Sequence, residues 1–599
     1  MRPRHMLLVV IPLLILLPWI PGVPPYWITQ MNYIGLYSLV VLGLVLLTNV
    51  GGLTSFGQSA FVGLGAYTTA WLCTAHGLSP WLGLIASLLV TCSIAYVLGI
   101  ITLRLSGHFL PVCTLAWCLA LFYLYGNLDF LGRNDGITGI PAVSLGTWTL
   151  DTSGRIYELI WAVLLLSMWA THNLLGSRAG RAIRALPSGS MAESFGINRA
   201  RYKIIIFVYA ALLGCLSGWL YAHMQRTVSP SPFGLHYGIE YLFMAVVGGM
   251  GSVWAAVIGA GTVLIVRDQL QSLLAGMFEM AATLELLAFG VLMILVLQFA
   301  RNGLWPVLAE IWQRLGGRPE PTHAKQLGEG DELPRRQTPA KGDCVLEVDN
   351  ISKSFGGLVA VDGISFRLRA GEIMGLIGPN GAGKSTTFDL VSGVQPLSGG
   401  AVSLLGQRID GRPSREIARS GLARSFQHVQ LLPDMTVLEN VALGAHQRSG
   451  TGVIAAALRL DRAQEAALLR EAAHQLERVG LGDVMHQRAG SLPLGRQRIV
   501  EIARALCCDP ILLLLDEPAA GLRYQEKQEL AQTLDQLRSE GMSILLVEHD
   551  MGFVMQLTDH LLVMDFGNEL AAGAPADVQS DPAVLEAYLG GVDEAPGVT

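Results

Sequence analysis

Charge is what this sequence has least of. Asp, Glu, Lys and Arg make up 15% of its 599 residues, against roughly 25% in soluble globular chains. The shortage is uneven. Almost everything before Arg301 is long apolar runs, and everything after Lys341 has the composition of a soluble domain. That pattern calls for a membrane part followed by a water-soluble part. The net charge of -6 is too small to argue for nucleic acid or an acidic substrate as partner. The eight cysteines include no CxxC spacing. Cys73, Cys92, Cys113, Cys118 and Cys215 lie in apolar runs and Cys344, Cys507 and Cys508 in the soluble part, so buried or reduced thiols are expected, without disulfides or zinc. The start, "MRPRHMLLVVIPLLILLPWIPGVPPYW", has no A-x-A-like cleavage site and runs straight into further apolar segments. It is expected to be a retained first span, bent at Pro12 and Pro18, and not a signal peptide.

What is present is a series of apolar segments of membrane-crossing length, near 6–21, 33–50, 54–75, 80–105, 108–126, 156–175, 203–224, 239–266 and 279–299. Basic residues set the expected orientation. Arg2 and Arg4, the loop holding Arg178, Arg181, Arg184, Arg199, Arg201 and Lys203, and the tail with Arg301, Arg314 and Arg318 should all be cytoplasmic. Six segments separate the first two basic regions, an even number as required. Three separate the second from the third, which is odd. The fault is placed at 239–266, a long segment interrupted by Gly248, Gly249 and Gly251, which is read as two short or re-entrant pieces. Small residues such as Gly57, Gly63 and Gly65 are assigned to close helix packing, with lining of a translocation path, joined by Gln58, Ser59 and Thr68, as the alternative. The charges of 127–155 are expected to be solvated. Residues 315–343, rich in Pro, Gly and charge, read as a flexible linker between a membrane domain (1–314) and a soluble domain (344–599).

In the soluble part, "GEIMGLIGPNGAGKSTTFDLVSG" puts an apolar strand before Gly378-x-x-x-x-Gly383-Lys384-Ser385 and a helical pattern after it. This is a phosphate-binding loop in its proper context. Gly378, Pro379, Asn380, Gly381, Ala382, Gly383 and Thr386 form the loop whose N–H groups converge on phosphates at a helix start. Lys384 reaches the β- and γ-phosphates and the Ser385 hydroxyl suits Mg²⁺. "ILLLLDEP" is a buried strand ending in Asp516, suited to a Mg²⁺ contact, and Glu517, placed to polarise an attacking water.

The order "GPNGAGKST", "SFQHVQ", "LPLGRQR", "LLLLDEP", "VEHD" resembles an ABC transporter ATPase over residues 345–592. The resemblance implies that Gln427 senses Mg²⁺ and the membrane domain, that His549 contacts the γ-phosphate and that Phe355 stacks on adenine. "GLARSFQHVQLLPDMTVLENVALGAH" and the C-terminal "VEHDMGFVMQLTDHLLVMDFGNELAAGAPADVQSDPAVLEAYLG" narrow it to the G-type ATPase of the branched-chain amino acid importers. "SFGQSAFVGLGAYTTA", "GITGIP", "SRAGRAIRALPSGSMAESFGINRARYK" and "IEYLFMAVVGGMGSVWAAVIGA" resemble the M-type permease of the same importers over roughly 33–300. The fold class expected is therefore a polytopic α-helical membrane domain followed by an α/β P-loop NTPase domain of the ABC ATPase type. The resemblance also implies a short cytoplasmic coupling helix, matched to Met191–Ile197 with Glu193 and Gly196.

"LPLGRQR" aligns with the signature of such ATPases at Leu492, Gly495, Gln497 and Arg498. Pro493 replaces the serine hydroxyl and offers no N–H, while Gly495 and the helix start behind it retain some attraction for phosphate. Arg496 adds a charge that could stand in for lost hydrogen bonds. "AAGLRYQE" departs too, with Arg523 and Tyr524 where Asn-Pro is usual. Because cassettes pair head to tail, the damage is expected to fall on the partner's ATP site, in a heterodimer with one competent and one impaired site. The resemblance thus implies ATP and Mg²⁺ as cofactors, and a multi-pass protein of the bacterial inner membrane with a cytoplasmic ATPase. Its implied partners are a second permease, a second ATPase and an extracytoplasmic solute-binding protein. The expected function is ATP-driven import of branched-chain or related amino acids. The alternatives are the same machine carrying urea or short amides, or a regulatory membrane protein that binds ATP with little turnover.

Overall fold

The computed structural model describes residues 17–103, 109–249, 252–275, 303–316 and 332–589, with Gly290, Val291, Ile294 and Gln298. The chain divides into two compact units. One takes residues 1–187, 200–320 and 453–460, and the other 188–199, 321–452 and 461–599.

The first unit is helical. Its elements are α1 (Pro25–Leu44), which continues as a π-helical stretch Val45–Val50, α2 (Gln58–Ala75), α3 (Pro80–Thr102), α4 (Phe109–Asn127), α5 (Ser153–Leu175) and α6 (Arg199–Gln225). Local chemistry starts them. Pro25 opens α1, and at α3 the Ser79 hydroxyl accepts from Leu82 N–H while Pro80 fills the first turn, where a missing N–H costs nothing. Among the described residues, five segments are long and apolar enough to cross a membrane: Pro25–Val50 and α3 to α6. Burial separates them. The most apolar stretch of Pro25–Val50 is 72% buried and that of α4 only 22%, so α1 is central and α4 peripheral. Leu82, Ile85, Leu89 and Val97 of α3 are exposed, forming an outward apolar face fit for lipid.

Small residues let the helices meet backbone to backbone. A Cβ on Gly65 of α2 would overlap the Cys215 carbonyl of α6, and one on Gly218 of α6 would overlap the Val62 carbonyl. A Cβ on Gly63 would overlap the Tyr125 ring and one on Gly57 would lie 3.0 Å from the Thr114 carbonyl, so the glycines read as packing positions do sit at close helix contacts. Gln58 is buried with neither amide atom partnered, and Ser59 Oγ lies 3.2 Å from Cys118 Sγ.

The long segment 239–266 is two helices that meet near the glycines where the break was expected. They are α7 (Leu235–Gly248) and α8 (Trp254–Ala275), and Gly249, with φ of +90°, ends the first. The second piece, at 22 residues, is longer than the short or re-entrant piece expected there, because its helical pattern carries on past Val266. Carbonyls freed at the break need donors. Asn49 Nδ2 supplies one, donating to Gly249 O at 3.0 Å, and it also reaches Ala245 O at 3.3 Å, which already accepts the Gly249 N–H. The N-terminal segment up to residue 16 and most of 279–299 lie outside the described residues. An amphipathic helix, α9 (Leu304–Gly316), exposes Val307, Leu308 and Ile311. Asp129 pairs with Arg133, and Asp151 with Arg155, in exposed positions, as expected of solvated charges.

The second unit is built on two sheets. The strands are β1 (Cys344–Phe355), β2 (Leu358–Arg369), β3 (Ile373–Ile377), β4 (Gly399–Leu404), β5 (Gln407–Arg408), β6 (Leu422–Arg424), β7 (Leu512–Asp516), β8 (Ser543–Val547), β9 (His560–Asp565) and β10 (Asn568–Gly573). β2-β1-β4-β5 form an antiparallel sheet, and β6-β7-β8-β3-β9-β10 a mainly parallel one with β10 antiparallel at its edge. The strands β3, β7 and β8 are buried at every residue, which explains their unbroken apolar runs. The end of the stretch read as a flexible linker differs from expectation. Arg336 N–H donates to Asp509 Oδ2 at 2.6 Å and its guanidinium to Asp509 O at 2.6 Å. One arginine with several carbonyl and carboxylate acceptors thus holds this stretch on the second unit, despite its Pro-rich composition.

Gly218→Val should destabilise the first unit by about 1–3 kcal/mol or more, lowering the denaturant midpoint of the purified chain. Gly261→Ala, whose new Cβ would meet nothing nearer than Ile34 Cγ2 at 3.9 Å, should leave that midpoint unchanged.

Candidate functional site

The strand register brings the chemistry-bearing residues to one edge. Asp516 of β7 pairs with Val547 of β8, and Val547 with Leu376 of β3. Because these strands are parallel, Asp516-Glu517, Glu548-His549 and the loop from Gly378 leave the sheet side by side. Ligands bind at such carboxyl-terminal edges.

After β3 the chain turns at Gly378 and Gly383, with φ of +149° and +96°. A Cβ on Gly378 would overlap Met564 O, and one on Gly383 would sit 2.5 Å from Ala360 O, so neither position admits a side chain. Pro379 is half-buried, Asn380 and Gly381 are exposed at the rim, and Ala382 is buried. Helix α10 (Lys384–Val391) follows, with Ser385 exposed and Thr386 half-buried on its first turn. Lys384 Nζ donates to Gly378 O at 2.7 Å and Pro379 O at 2.8 Å. Burial lowers its pKa, against the attraction of Glu517 and Asp516.

Asp516 is 5% exposed, its N–H donates to Ser425 Oγ at 3.1 Å, and its Oδ1 is buried without a hydrogen-bond partner. Burial pushes its pKa up to about 6. A buried carboxylate with a bare oxygen is a donor set in want of a cation. Its chemistry fits Mg²⁺, and Ser385 on the first turn of α10 offers a hydroxyl of the same kind. Glu517 follows with φ of +44°, a left-handed conformation uncommon for a side chain other than glycine, and its N–H donates to Val547 O at 2.9 Å. Gln427 Nε2 donates to Glu517 Oε2 at 3.2 Å, and His549 Nδ1 lies 3.9 Å from the same oxygen. Phe355 ends β1 half exposed, with Lys353 Nζ 4.9 Å from its ring centre. The structure therefore brings Gln427, Glu517 and His549 together beside Lys384 and Asp516.

Gly495 is placed differently. It lies on α11 (Leu494–Leu506), where a Cβ would come 2.6 Å from Glu526 Oε1. Pro493 is the residue before that helix and provides no side-chain cap. Arg496 pairs with Asp483 at 3.5 Å, both more than half exposed. Its charge is already matched within this chain, so it is a poorer substitute for lost hydrogen bonds than expected.

Sequence reasoning missed the residues that hold this site in place. Arg498, Glu501 and Arg504 recur every third residue on α11 and are buried. Arg498 Nη1 donates to Phe426 O at 2.8 Å and Nη2 to Gln427 O. Gln430 N–H donates to Glu501 Oε1 at 2.9 Å, and Arg504 Nη1 to Gln430 O at 2.8 Å. Their spacing puts three charges on one helix face, the signal that could have found them. Glu548 is a second omission. Fully buried, it accepts from Ala519 N–H at 2.6 Å and so fixes the loop that follows Glu517.

The stretch expected to couple, Met191–Ile197, lies within residues 188–199, which belong to the second unit. Its helix Gly189–Ser194 is followed by Phe195, whose ring lies 4.7 Å from the Arg504 guanidinium carbon. Ser194 Oγ is 3.5 Å from Ser414 Oγ, and a side chain on Gly196, φ +78°, would overlap Gln447. Glu193 lies 3.8 Å from Arg199. Residues 453–460 group with the first unit, where Asn173 Nδ2 donates to Ala457 O at 3.1 Å.

Comparison with known proteins agrees with this geometry. Residues 26–297 match the family model of the branched-chain amino acid transport system permease component, 361–520 that of the ABC transporter, and 569–594 that of the branched-chain amino acid ATP-binding cassette transporter. The high-affinity branched-chain amino acid transport ATP-binding protein LivG of Salmonella typhimurium is 44% identical over 250 residues, covering 41% of this chain and 98% of LivG. The corresponding BraF of Pseudomonas aeruginosa is 41% identical over 249 residues, with 41% and 98% covered. A solved ATP-binding cassette of an ABC transporter in its ADP conformation is 32% identical and covers 41% of this chain and 99% of its own, with a TM-score of 0.38. The chain belongs to the branched-chain amino acid transport family of ABC transporters, with permease component and ATP-binding cassette joined in one polypeptide.

Proposed function

We propose that this chain imports branched-chain or closely related amino acids across the bacterial inner membrane, driven by ATP hydrolysis on the cytoplasmic side. The observation that carries the reading is the single sheet edge on which Lys384, Asp516, Glu517, Gln427 and His549 converge, in a chain whose other half is the permease component. The basic loop around Arg178–Lys203 supports a cytoplasmic ATPase.

In this reading the loop 378–386 cradles the phosphates, Lys384 takes β and γ oxygens, and Phe355 offers its half-exposed ring to adenine. Ser385, Gln427 and Asp516 hold Mg²⁺, which when bound supplies neutralisation of the phosphate charge. Glu517 accepts the proton of the attacking water, and its αL backbone with the Gln427 hydrogen bond aims the carboxylate. His549, exposed and near Glu517, reaches the γ-phosphate. Movement passes from Gln427 through Arg498, Glu501 and Arg504 to Phe195, a continuous chain of buried contacts.

A second cassette supplies the signature facing this chain's nucleotide, and this chain's own, with Pro493 before α11, faces the partner's. We therefore assign the assembly one competent and one impaired ATP site. It further requires a second permease and a solute-binding protein.

Glu517→Gln in the reconstituted assembly should lower the hydrolysis rate about 10²–10⁴-fold without loss of ATP binding. An unchanged rate would move hydrolysis to the partner's site. Pro493→Ser should raise the rate of the assembly by restoring one hydrogen-bonding group, roughly fivefold for about 1 kcal/mol. Phe195→Ala should reduce solute-stimulated hydrolysis more than unstimulated hydrolysis.

The raised pKa of Asp516 sets a pH window. Burial disfavours its ionised form, so its contribution to stability is fully present below the ordinary carboxylate range and lost as pH rises through about 6. Cation binding has the opposite sign, because the ionised form is the ligand. Affinity for Mg²⁺–ATP should fall about tenfold per pH unit below 6, and Asp516→Asn should flatten that dependence. Calorimetric titration between pH 5 and 8 reads both.

A further inference from the structure

One buried charge in the first unit has no part in the ATPase chemistry. Glu240, on α7, is 3% exposed, and its Oε1 accepts from Arg267 Nη1 of α8 at 2.9 Å. Its other oxygen, Oε2, is buried with no hydrogen-bond partner. An ionised carboxylate in an apolar helical unit, satisfied on one side only, is costly to keep, so folding alone does not account for it. Arg267 is the more accessible half, its side chain 33% exposed. It covers a carboxylate that is otherwise sealed.

The surroundings match a solute with two charges and an apolar body. Tyr241, beside Glu240 in sequence, packs edge-on against Tyr37 of α1 at 5.1 Å between ring centres. Tyr33 follows at 6.1 Å from Tyr37 and accepts a hydrogen bond from Gln225. Glu240 is on the helix that ends at the Gly249 break, and Arg267 is on the separate helix that follows it. Glu240 lies about 7.5 Å along the axis from Leu235 and about 12 Å from Gly248, and interrupted helices are where transporters build their sites.

We propose that Glu240 and Arg267 form the polar-end site for the transported α-amino acid. The solute's ammonium group donates to Glu240 Oε2 and its carboxylate takes the Arg267 guanidinium. Urea and short amides can donate an N–H to Oε2, but they have no carboxylate to replace Glu240 at Arg267. The site therefore selects zwitterions over neutral amides. This rests on the import reading above, and it names the residues and the solute chemistry that reading leaves open.

The test uses the intact assembly, purified through a tag on this chain from its native membranes and reconstituted in vesicles with its binding protein. Labelled L-leucine uptake and ATP hydrolysis are measured together for the wild type, Glu240→Gln/Arg267→Gln and Glu240→Asp. The double variant removes both members of the pair, so a merely structural pair would lower the yield of assembled protein without changing the leucine-to-ATP ratio of what assembles. The expected result is that leucine moved per ATP hydrolysed falls about tenfold or more in the double variant. Glu240→Asp, which keeps the charge and draws it back, should fall by a smaller factor and remains readable if the double variant does not assemble. A leucine-to-ATP ratio equal to that of the wild type in an assembled variant overturns the site while leaving the import reading intact. A wild-type assembly that hydrolyses ATP but moves no α-amino acid overturns the import reading and this inference with it.

Discussion

A carboxylate almost sealed from water, that of Glu501 at 1% exposure, ties the loop after Gln427 to the helix that begins at Leu494. It lies 3.1 Å from Arg504 and 3.6 Å from Arg498, and takes the Gln430 N–H as well. Each charge alone would be expensive to bury. Together they are tolerable only while all are in place. The loop carrying Gln427 is therefore fixed to α11 by charge, and cannot shift without moving the helix that begins at the signature. The position of Gln427 against Glu517 depends on that arrangement.

The membrane unit works under the opposite constraint. Its helices gain nothing from excluding water against lipid, so they rely on backbone contact at Gly65 and Gly218 and on a few polar side chains such as Asn49, which satisfy backbone groups that a helix break would leave bare. Its buried carboxylate Glu240 is paired with Arg267 of the next helix. The two units thus use buried polarity for different ends: a rigid clamp in one, and a partly open pair in the other.

Much of the nucleotide site was legible in the sequence because its chemistry is local. The phosphate loop needs glycines at fixed offsets between a strand and a helix, and Asp516-Glu517 needs only a strand end. The segments of the membrane half were legible for the same reason: length and apolar composition define a span regardless of its neighbours. The glycines at 248, 249 and 251 marked the break between α7 and α8, because Gly249 takes a φ of +90° there. The linker was misjudged at its far end because composition does not reveal that Arg336 finds acceptors on Asp509, distant in sequence.

Tertiary structure alone decided which charges act together. Arg498, Glu501 and Arg504 are visible as a helix face, but that they grip the Gln427 loop follows from where α11 packs. Phe195 lies far from Arg504 in the chain and meets it only in the fold. Likewise Glu240 and Arg267 sit on separate helices, and neither residue type predicts the other's position. Periodicity and motif spacing act over a few residues, and so they yield elements and loops. Pairing across elements depends on crossing and register, which exist only once the chain has packed.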